Sequence, residues 1–315
     1  MYEQTYKAGA RFIMIDIIIA SYKEPQSTLR AAQILLKQTK KRTDVRVTVV
    51  DPFPEVEEFL KKKIKDKRFF FFLDPGEGKS YALNLLMQEY ASSNTDDIFI
   101  LSDGDVVVSE NTVSAIIEAF ADKKVGCVTG KPVSVDDKNT KYGWWAEIAF
   151  RGIDRVRKEL SRRKEFFECS GYLFAIRKGV LIDFSLETSE DSIIPYLFWK
   201  KGYTIKYVPE AEVYVKNPTT WKDWLAQKVR NVKAHENLTK IAPDMPRTKS
   251  FWNEIKWGAL FALRQPRTLK QAWWTIELYG ARLYLYLRAF KELRRKKKYE
   301  DGWRGQAETK TTMME

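Results

Sequence analysis

Two aspartates separated by one glycine form the strongest chemical signal in the sequence. The string IFILSDGD places Asp103 and Asp105 at the end of an apolar run that predicts a buried strand. Two carboxylates at this spacing can bind one Mg²⁺ or Mn²⁺, hard cations that prefer oxygen ligands, and such an ion would offset the charge on a departing diphosphate. Asp-Gly is also a strong hairpin signal, so the motif alone leaves a plain turn open as an alternative.

A second chemical motif is the glycine-rich string Pro75–Ser80, which follows another apolar run. It ends like a P-loop, but the full pattern requires a glycine where Leu73 stands, so the P-loop prediction fails. A glycine turn that opens a helix can still bring backbone N–H groups to a phosphate or a nucleobase. Gly76, Gly78 and Lys79 are therefore candidate donor contacts, with an ordinary strand-to-helix turn as the alternative.

Further candidates lie in the second half of the chain. Glu190 and Asp191 precede an apolar helical stretch, where a carboxylate serves either as a general base for an acceptor hydroxyl or as a helix cap. Gln227 and Arg230 have the spacing of one helix face and suit a diphosphate or a sugar hydroxyl. His235, the one histidine of the sequence, could complete a metal site, although a single histidine more commonly serves packing.

The elements that must position these residues alternate between β-rich and helical segments over the first 130 residues. The alternation predicts an α/β fold whose mostly parallel sheet is covered by helices on both faces, and ligands bind beyond the carboxyl ends of strands in such sheets. Four polar segments fall at such ends: Ala20–Ser21, Asp51, Asp74–Gly78 and Ser102–Asp105. Beyond residue 140 the pattern predicts helices at 144–163, 191–201 and 220–237, and strands at 172–177, 204–208 and 212–216.

Composition narrows the class of protein. The 315 residues carry a net charge of +13, which favours polyanionic partners such as nucleic acid, anionic lipid or phosphorylated small molecules. Two cysteines, Cys127 and Cys169, form no disulfide framework and predict buried free thiols in a reducing, cytoplasmic setting. We find neither a signal peptide nor an apolar run long enough to span a membrane.

Taken in order, seven segments resemble the family 2 glycosyltransferases, inverting enzymes with a GT-A fold, which is Rossmann-like. The resemblance covers roughly residues 12–235. It rests on the strings IIIASYKEP, VTVVDPFPE, GEGKSYALN, LSDGDVVV, CSGYLFAIRK, EDSIIPYLFWKKGYTIKYVPEAEVY and QKVRN. The chain departs from the family pattern at Ala20 and Lys23, at Pro52 and Phe53 beside the base-binding aspartate, and at Asn231, where polymer synthases carry tryptophan.

The resemblance implies roles for the candidate residues. Asp191, with Glu190 beside it, would be the catalytic base. Asp103 and Asp105 would hold Mn²⁺ or Mg²⁺, with His235 as a weak third ligand. The implied donor-binding residues are Ala20, Tyr22, Glu24, Asp51, Gly76, Gly78, Lys79, Asp103, Gln227 and Arg230. The implied acceptor-binding residues are Ser170, Gly171 and Tyr172. Because of Asn231 we expect a single sugar transfer rather than polymer synthesis.

The C-terminal region has a different composition. Residues 251–290 are aromatic-rich and helical in pattern, and a basic run follows at 291–298. An aromatic-flanked amphipathic helix beside basic residues fits an anionic membrane surface, and a helix packed back on the catalytic domain is the alternative. We therefore expect a catalytic domain at 1–243, divided near residue 130 into nucleotide-sugar and acceptor halves, a helical membrane-interface region at 244–298 and a disordered tail at 299–315.

These observations predict an enzyme that moves a sugar from a nucleotide-diphosphate donor to a hydroxyl acceptor. The acceptor would be a lipid-linked or polysaccharide glycan, and the protein would lie peripherally on the cytoplasmic face of a membrane. Two other hypotheses stay open from the sequence. A basic nucleic-acid-binding protein would fit the charge, but no readable binding motif is found, so no nucleic acid is expected as partner. A nucleotidyltransferase would also use paired carboxylates, but the segments around Asp191 and Arg230 argue against it.

Overall fold

The structure is a computed structural model that describes residues 13–181, 183–246, 255–294 and 311. Within them one sheet contains eight strands: β1 Ile15–Ala20, β2 Val45–Asp51, β3 Phe69–Leu73, β4 Ile98–Asp103, β5 Val107–Val108, β6 Val125–Ser134, β7 Leu173–Arg177 and β8 Thr204–Val215. The helices are α1 Pro25–Gln38, α2 Pro54–Lys63, α3 Lys79–Glu89, α4 Thr112–Ala119, α5 Lys141–Arg163, α6 Glu190–Lys200, α7 Trp221–Ile241, a π-helix Ile255–Ala259, α8 Leu260–Leu263 and α9 Leu269–Arg294.

The first four long strands form the parallel part of the sheet, in the order β3-β2-β1-β4. The side chains of β1, β2 and β4 are buried on both faces: Ile17 and Ile19 pack with α1, α2 and α4, whereas Ile18 packs with α3. Two-sided burial explains why these strands read as continuous apolar runs. In the register, Ala20 pairs with both Val50 and Asp103, so the polar strand ends gather at one edge as predicted.

The second half of the sheet is mixed, but the sheet remains mostly parallel as expected: within the described residues six of its eight strands point one way, and β5 and β7 run against them. β7 runs antiparallel to both β4 and β6, β6 is parallel to β8, and β5 is antiparallel to β8. The two strands expected within 204–216 are one strand, β8. It continues because a bulge opposite Gly130 and Lys131 absorbs residues 209–211 without ending the pairing. β5, only two residues long, was not predicted from the sequence.

The C-terminal helices pack against α5 and α7. The indole N–H groups of Trp144 and Trp145 donate to Thr275 Oγ1 at 2.9 Å and to the Trp274 carbonyl at 2.7 Å, and Leu285 is fully buried. The alternative prediction, a helix packed back on the catalytic domain, is therefore right for one face of α9. The helical prediction for 251–290 is otherwise interrupted near residues 264–268, and residues 251–254 lie outside the described residues.

The opposite face of α9 carries a row of apolar side chains that are 44% to 91% exposed. The row consists of Leu269, Trp273, Ile276, Leu283, Leu287 and Phe290. The spacing of three, four and seven residues places it along one helix face. In the described part of the chain, no helix is both long and apolar enough to cross a membrane.

Candidate active site

The turn after β4 is fixed by a close backbone approach. Gly104 N–H donates to the Ala20 carbonyl at 2.7 Å, and a Cβ at Gly104 would lie 2.8 Å from Thr28 Oγ1. Only glycine fits this approach without a shift of the chain. β4 pairs with β1 and β7, whereas β5 pairs with β8, so Asp103-Gly104-Asp105 is not the turn of a hairpin. Asp103 and Asp105 therefore lie at the edge of the sheet where the strand ends gather.

Lys79 links this turn to the second half of the chain. Gly78, with φ of 104°, precedes α3, and Lys79 is the first residue of that helix. Its Nζ lies 2.7 Å from Asp103 Oδ1 and 2.7 Å from Glu190 Oε1. Burial alone would lower the pKa of Lys79, but the two carboxylates outweigh it and hold the pKa above its usual value. A permanent positive charge thus lies between the two candidate halves of the site.

Asp191 lies in the first turn of α6, and contacts from a distant segment hold it. Gly171 N–H donates to Asp191 Oδ2 at 3.0 Å, and Ser189 Oγ donates to Oδ1. Pro195, four residues on, has no N–H for the Asp191 carbonyl, which instead accepts from Cys169 N–H at 3.0 Å. The Asp191 carboxylate is thus oriented by the segment 169–171. The side chain of Ser189, the residue before α6, makes no capping hydrogen bond to this helix.

Behind Asp191 lies a layer of polar side chains that was not predicted from the sequence. Glu168, which is buried, accepts from Ser192 Oγ at 2.6 Å, and His235 Nδ1 lies 3.3 Å from the same carboxylate oxygen. Arg157, buried in α5, donates to the Cys169 carbonyl at 2.7 Å. Burial lowers the pKa of Arg157, and the nearby Cys169, Tyr207, Asp191 and Glu168 counteract that effect. The signal for this layer was a glutamate flanked by apolar residues in FFECS.

One protein family matches the part of the chain that contains the residues described above. The model of the family described as "Glycosyltransferase like family 2" matches residues 13–234, more than half of the chain. The chain belongs to this family.

Two curated relatives are about a quarter identical to this chain over the segments that align. Poly-beta-1,6-N-acetyl-D-glucosamine synthase of Staphylococcus aureus (strain COL) is 25% identical over 244 residues, which are 75% of the chain and 58% of the relative. An N-acetylglucosaminyltransferase of Rhizobium meliloti (strain 1021) is 24% identical over 237 residues, which are 69% of the chain and 54% of the relative. The chain thus spans a little over half the length of the curated relatives it matches.

A solved structure shares the fold. A mannosyltransferase from Pyrobaculum calidifontis, in complex with GDP-Man and Mn²⁺, superposes with a TM-score of 0.55 and 16% identity, over 89% of this chain and 80% of that one. The GT-A architecture expected from the sequence is therefore confirmed.

The expected nucleoside corner of the glycosyltransferase lies at the end of β2. Asp51, fully buried, accepts from Lys23 N–H at 3.0 Å and from Phe53 N–H at 2.9 Å. Burial raises its pKa, although hydrogen bonds from Ser21, Phe53 and Lys23 oppose that rise. The exposed Tyr22 ring meets the Phe53 ring edge-on at 5.2 Å between centroids. Phe53, a departure from the family pattern, thus provides an aromatic surface at this corner.

Two further candidates for donor binding, Gly76 and Glu24, also lie in the first half of the chain. Gly76 N–H donates to Asp74 Oδ1 at 2.6 Å, and burial, with Asp51 nearby, raises the pKa of Asp74. Glu24 directly precedes α1, where its carbonyl accepts from Thr28 Oγ1 at 2.7 Å.

The expected acceptor segment is bound directly to the aspartate turn. The Tyr172 carbonyl accepts from Asp103 N–H at 3.4 Å, and Ser170 N–H donates to Thr129 Oγ1 at 3.0 Å. Gly171 also accepts from Lys79 Nζ at 3.4 Å. Residues 170–172 therefore lie between the carboxylates at 103 and 191.

Two predictions concern α7. Gln227 is buried and Arg230 half-buried on that helix, and their donor roles stay predictions. Among the residues that the structure describes, no three His, Cys, Asp or Glu side chains group closely enough to hold a metal ion. Because His235 lies against Glu168, its role as a third metal ligand also stays a prediction.

Proposed function

We propose that the protein transfers a sugar from a nucleotide-diphosphate donor to a hydroxyl acceptor with inversion at the anomeric carbon. The observation that carries the proposal is the position of Lys79. Its ammonium group binds Asp103 at the end of β4 and Glu190 beside Asp191. One half-buried cation thus joins the carboxylate expected on the donor to the pair expected on the acceptor. Family membership supports sugar transfer over nucleic-acid binding or nucleotidyl transfer.

The donor would occupy the edge where the parallel strands end. Tyr22, Asp51 and Gly76 would contact its nucleoside, and Lys79 at the start of α3 would face its diphosphate. Asp103 and Asp105 fit a divalent cation because both supply hard oxygen ligands, and the donor's phosphate oxygens would supply more. A bound Mn²⁺ or Mg²⁺ would offset the negative charge of the leaving diphosphate. The Mn²⁺ complex of the mannosyltransferase with the same fold supports this assignment.

The acceptor would approach along residues 170–172. Asp191 would take the proton of the acceptor hydroxyl as its oxygen attacks the anomeric carbon from the face opposite the diphosphate. The bond to the diphosphate breaks as the new glycosidic bond forms, so the configuration inverts. Gly171 N–H and Ser189 Oγ hold the Asp191 carboxylate in one orientation, which lowers the entropic cost of that geometry.

The names of the relatives favour a glycan acceptor. Both are described as N-acetylglucosamine enzymes, and one is a polysaccharide synthase. Asn231 stands where polymer synthases carry tryptophan, so we propose one transfer per acceptor, with a polysaccharide or a lipid-linked glycan as that acceptor.

A thermal-shift screen tests the donor assignment. The full chain is heated with nucleoside diphosphates and nucleotide sugars, each with and without Mn²⁺. One nucleotide class with Mn²⁺ should raise the melting temperature by about 5 °C at saturating ligand. Asp105→Asn should lose the part of the shift that depends on the metal. Equal shifts in the variant and the wild type would show that the nucleotide binds without this carboxylate.

We also propose that the exposed row on α9 attaches the enzyme to the cytoplasmic face of a membrane. The row is apolar, and the basic run 291–298 follows it in the sequence. Trp273→Gln with Leu287→Gln should weaken binding to anionic vesicles several-fold. The control is Phe70→Gln with Leu73→Gln, because those side chains on β3 are similarly exposed. Equal binding by both double variants would rule out the α9 row as the attachment surface.

A further inference from the structure

A groove of about 580 Å³ lies on the outer side of α5, away from the carboxylates described above. One face of the helix, from Asp154 to Arg163, forms its floor, and the indole of Trp257 in the π-helix borders it. Arg157 in the same turns of α5 points inward and donates to the Cys169 carbonyl behind Asp191. The groove and the polar layer behind Asp191 are therefore on opposite sides of one segment of α5.

The groove has an excess of positive charge. Four cations line it against two carboxylates, and both carboxylates already have cationic partners on α5. Asp154 binds Lys158 at 2.9 Å, and Glu159 binds Arg162 at 2.8 Å and Arg163 at 2.6 Å. Hydrogen bonds from Arg162 and Arg163 lower the pKa of Glu159 to about 2, so this carboxylate is ionised at physiological pH.

Apolar side chains stand next to these cations. The Arg155 guanidinium lies over the Phe261 ring of α8, 5.5 Å from its centroid. On the same short helix, Leu260 is 63% exposed and Leu263 is 56% exposed. A solvated helix face explains cations alone, but it does not explain exposed leucines beside a cationic groove bordered by tryptophan.

We propose that this groove binds the phosphate of an anionic lipid headgroup while Leu260 and Leu263 enter the outer acyl region. Guanidinium groups bind phosphate oxygens in pairs, and indole rings favour the depth of the headgroups. The proposal rests on the membrane attachment proposed above and assigns it a headgroup site that is separate from the row on α9. In this proposal, the expected acceptor segment 170–172 and the lipid headgroup lie on opposite sides of α5.

Sedimentation with vesicles tests the site on the full chain. The probes are phosphatidylcholine vesicles with and without phosphatidylglycerol, and the variant is Arg155→Gln with Arg162→Gln. Its affinity for the anionic vesicles should fall about 30-fold, because each cation near such a surface contributes roughly fivefold. The matched control, Lys62→Gln with Lys65→Gln, removes the same charge from exposed positions in the last turn of α2 and just after it, and should lose less than about threefold.

Each other outcome overturns a distinct statement. Equal losses in the two double variants would mean that net charge alone governs binding and that the groove is not a site. A wild type that binds no vesicle, yet binds inorganic phosphate or pyrophosphate through Arg155 and Arg162, would identify a soluble phosphate as the ligand and overturn the lipid. The nucleotide thermal shift, measured on the same variants, should stay unchanged. Its absence in the wild type would count against the proposed donor and not against the groove.

Discussion

The two halves of the glycosyltransferase position their functional groups in different ways. In the first half, residues 13–134, parallel strands in register deliver Ala20, Asp51 and Asp103 to one edge. In the second half, Asp191 is held by hydrogen bonds from a segment about 20 residues earlier in the chain. The first arrangement follows from the sheet itself, whereas the second depends on a few individual contacts.

This difference has an energetic consequence. The strands β1, β2 and β4 of the first half are buried on both faces, so a change at their ends strains a rigid frame. In the second half, a change beside Asp191 can be absorbed by the loop while the carboxylate loses its orientation. We therefore expect substitutions in the first half to affect folding and activity together, and substitutions near Asp191 to affect activity alone.

The largest effect should follow removal of the cation that joins the halves. Lys79→Met leaves Asp103 and the buried Glu190 without the ammonium between them. The transfer rate should fall about 100-fold, and the free energy of unfolding by about 1–3 kcal/mol. The control is Lys131→Met, which breaks a 2.8 Å pair with Glu212 at the surface and should cost below about 1 kcal/mol. Urea unfolding measures the stability of both variants, and initial rates measure their transfer activity. Equal losses in Lys79→Met and Lys131→Met would show that Lys79 does not link the two halves.

Two glycines give the sharpest contrast between the halves. Gly104→Ala would place a Cβ 2.8 Å from Thr28 Oγ1 and should destabilise the fold by about 1–3 kcal/mol. Gly171→Ala would place a Cβ 3.5 Å from Asp191 Oδ2, an ordinary contact, and should leave the unfolding free energy within about 0.5 kcal/mol of wild type. The same Cβ would crowd the acceptor side of the base, so transfer should fall. If Gly171→Ala destabilised the fold as much as Gly104→Ala, the distinction between the halves would be wrong.

The smallest effect concerns pH and the first half. The pKa of Asp74 is raised by burial and by Asp51, so the folded state favours its protonated form. That contribution to stability is fully present below the unfolded pKa and is lost as the pH rises through the folded pKa. Asp74→Asn can still accept from Gly76 N–H and should raise the melting temperature at pH 7 by about 1–2 °C, with a smaller gain at pH 4. A larger gain at pH 4 would contradict the sign of the shift.

The first half could be predicted from the sequence because its signals are local. Apolar runs between helical segments predict parallel strands. Because ligands bind beyond the carboxyl ends of such strands, Asp51 and Asp103 follow as site candidates without further information. Lys79 was found through its glycine turn, but its contact with Glu190 spans 111 residues and leaves no local pattern.

The second half was predicted less well because its geometry depends on distant pairings. The direction of β7 is set by its neighbours rather than by its own residues, so its antiparallel pairing with β4 and β6 was not predicted. The sequence predicted two strands at 204–208 and 212–216, whereas the bulge against β6 keeps β8 continuous. Arg157 and Glu168 were overlooked because only burial beside Asp191 reveals their role.

One pair of variants tests the central claim that the two halves divide donor binding from acceptor activation. Donor affinity by calorimetry with Mn²⁺ and transfer rate are measured on Asp103→Asn and Asp191→Asn. Asp103→Asn should lose both donor affinity and transfer. Asp191→Asn should bind the donor within about twofold of wild type and transfer at least about 100-fold more slowly. Transfer that survives in Asp191→Asn, or donor affinity that survives unchanged in Asp103→Asn, would contradict the division.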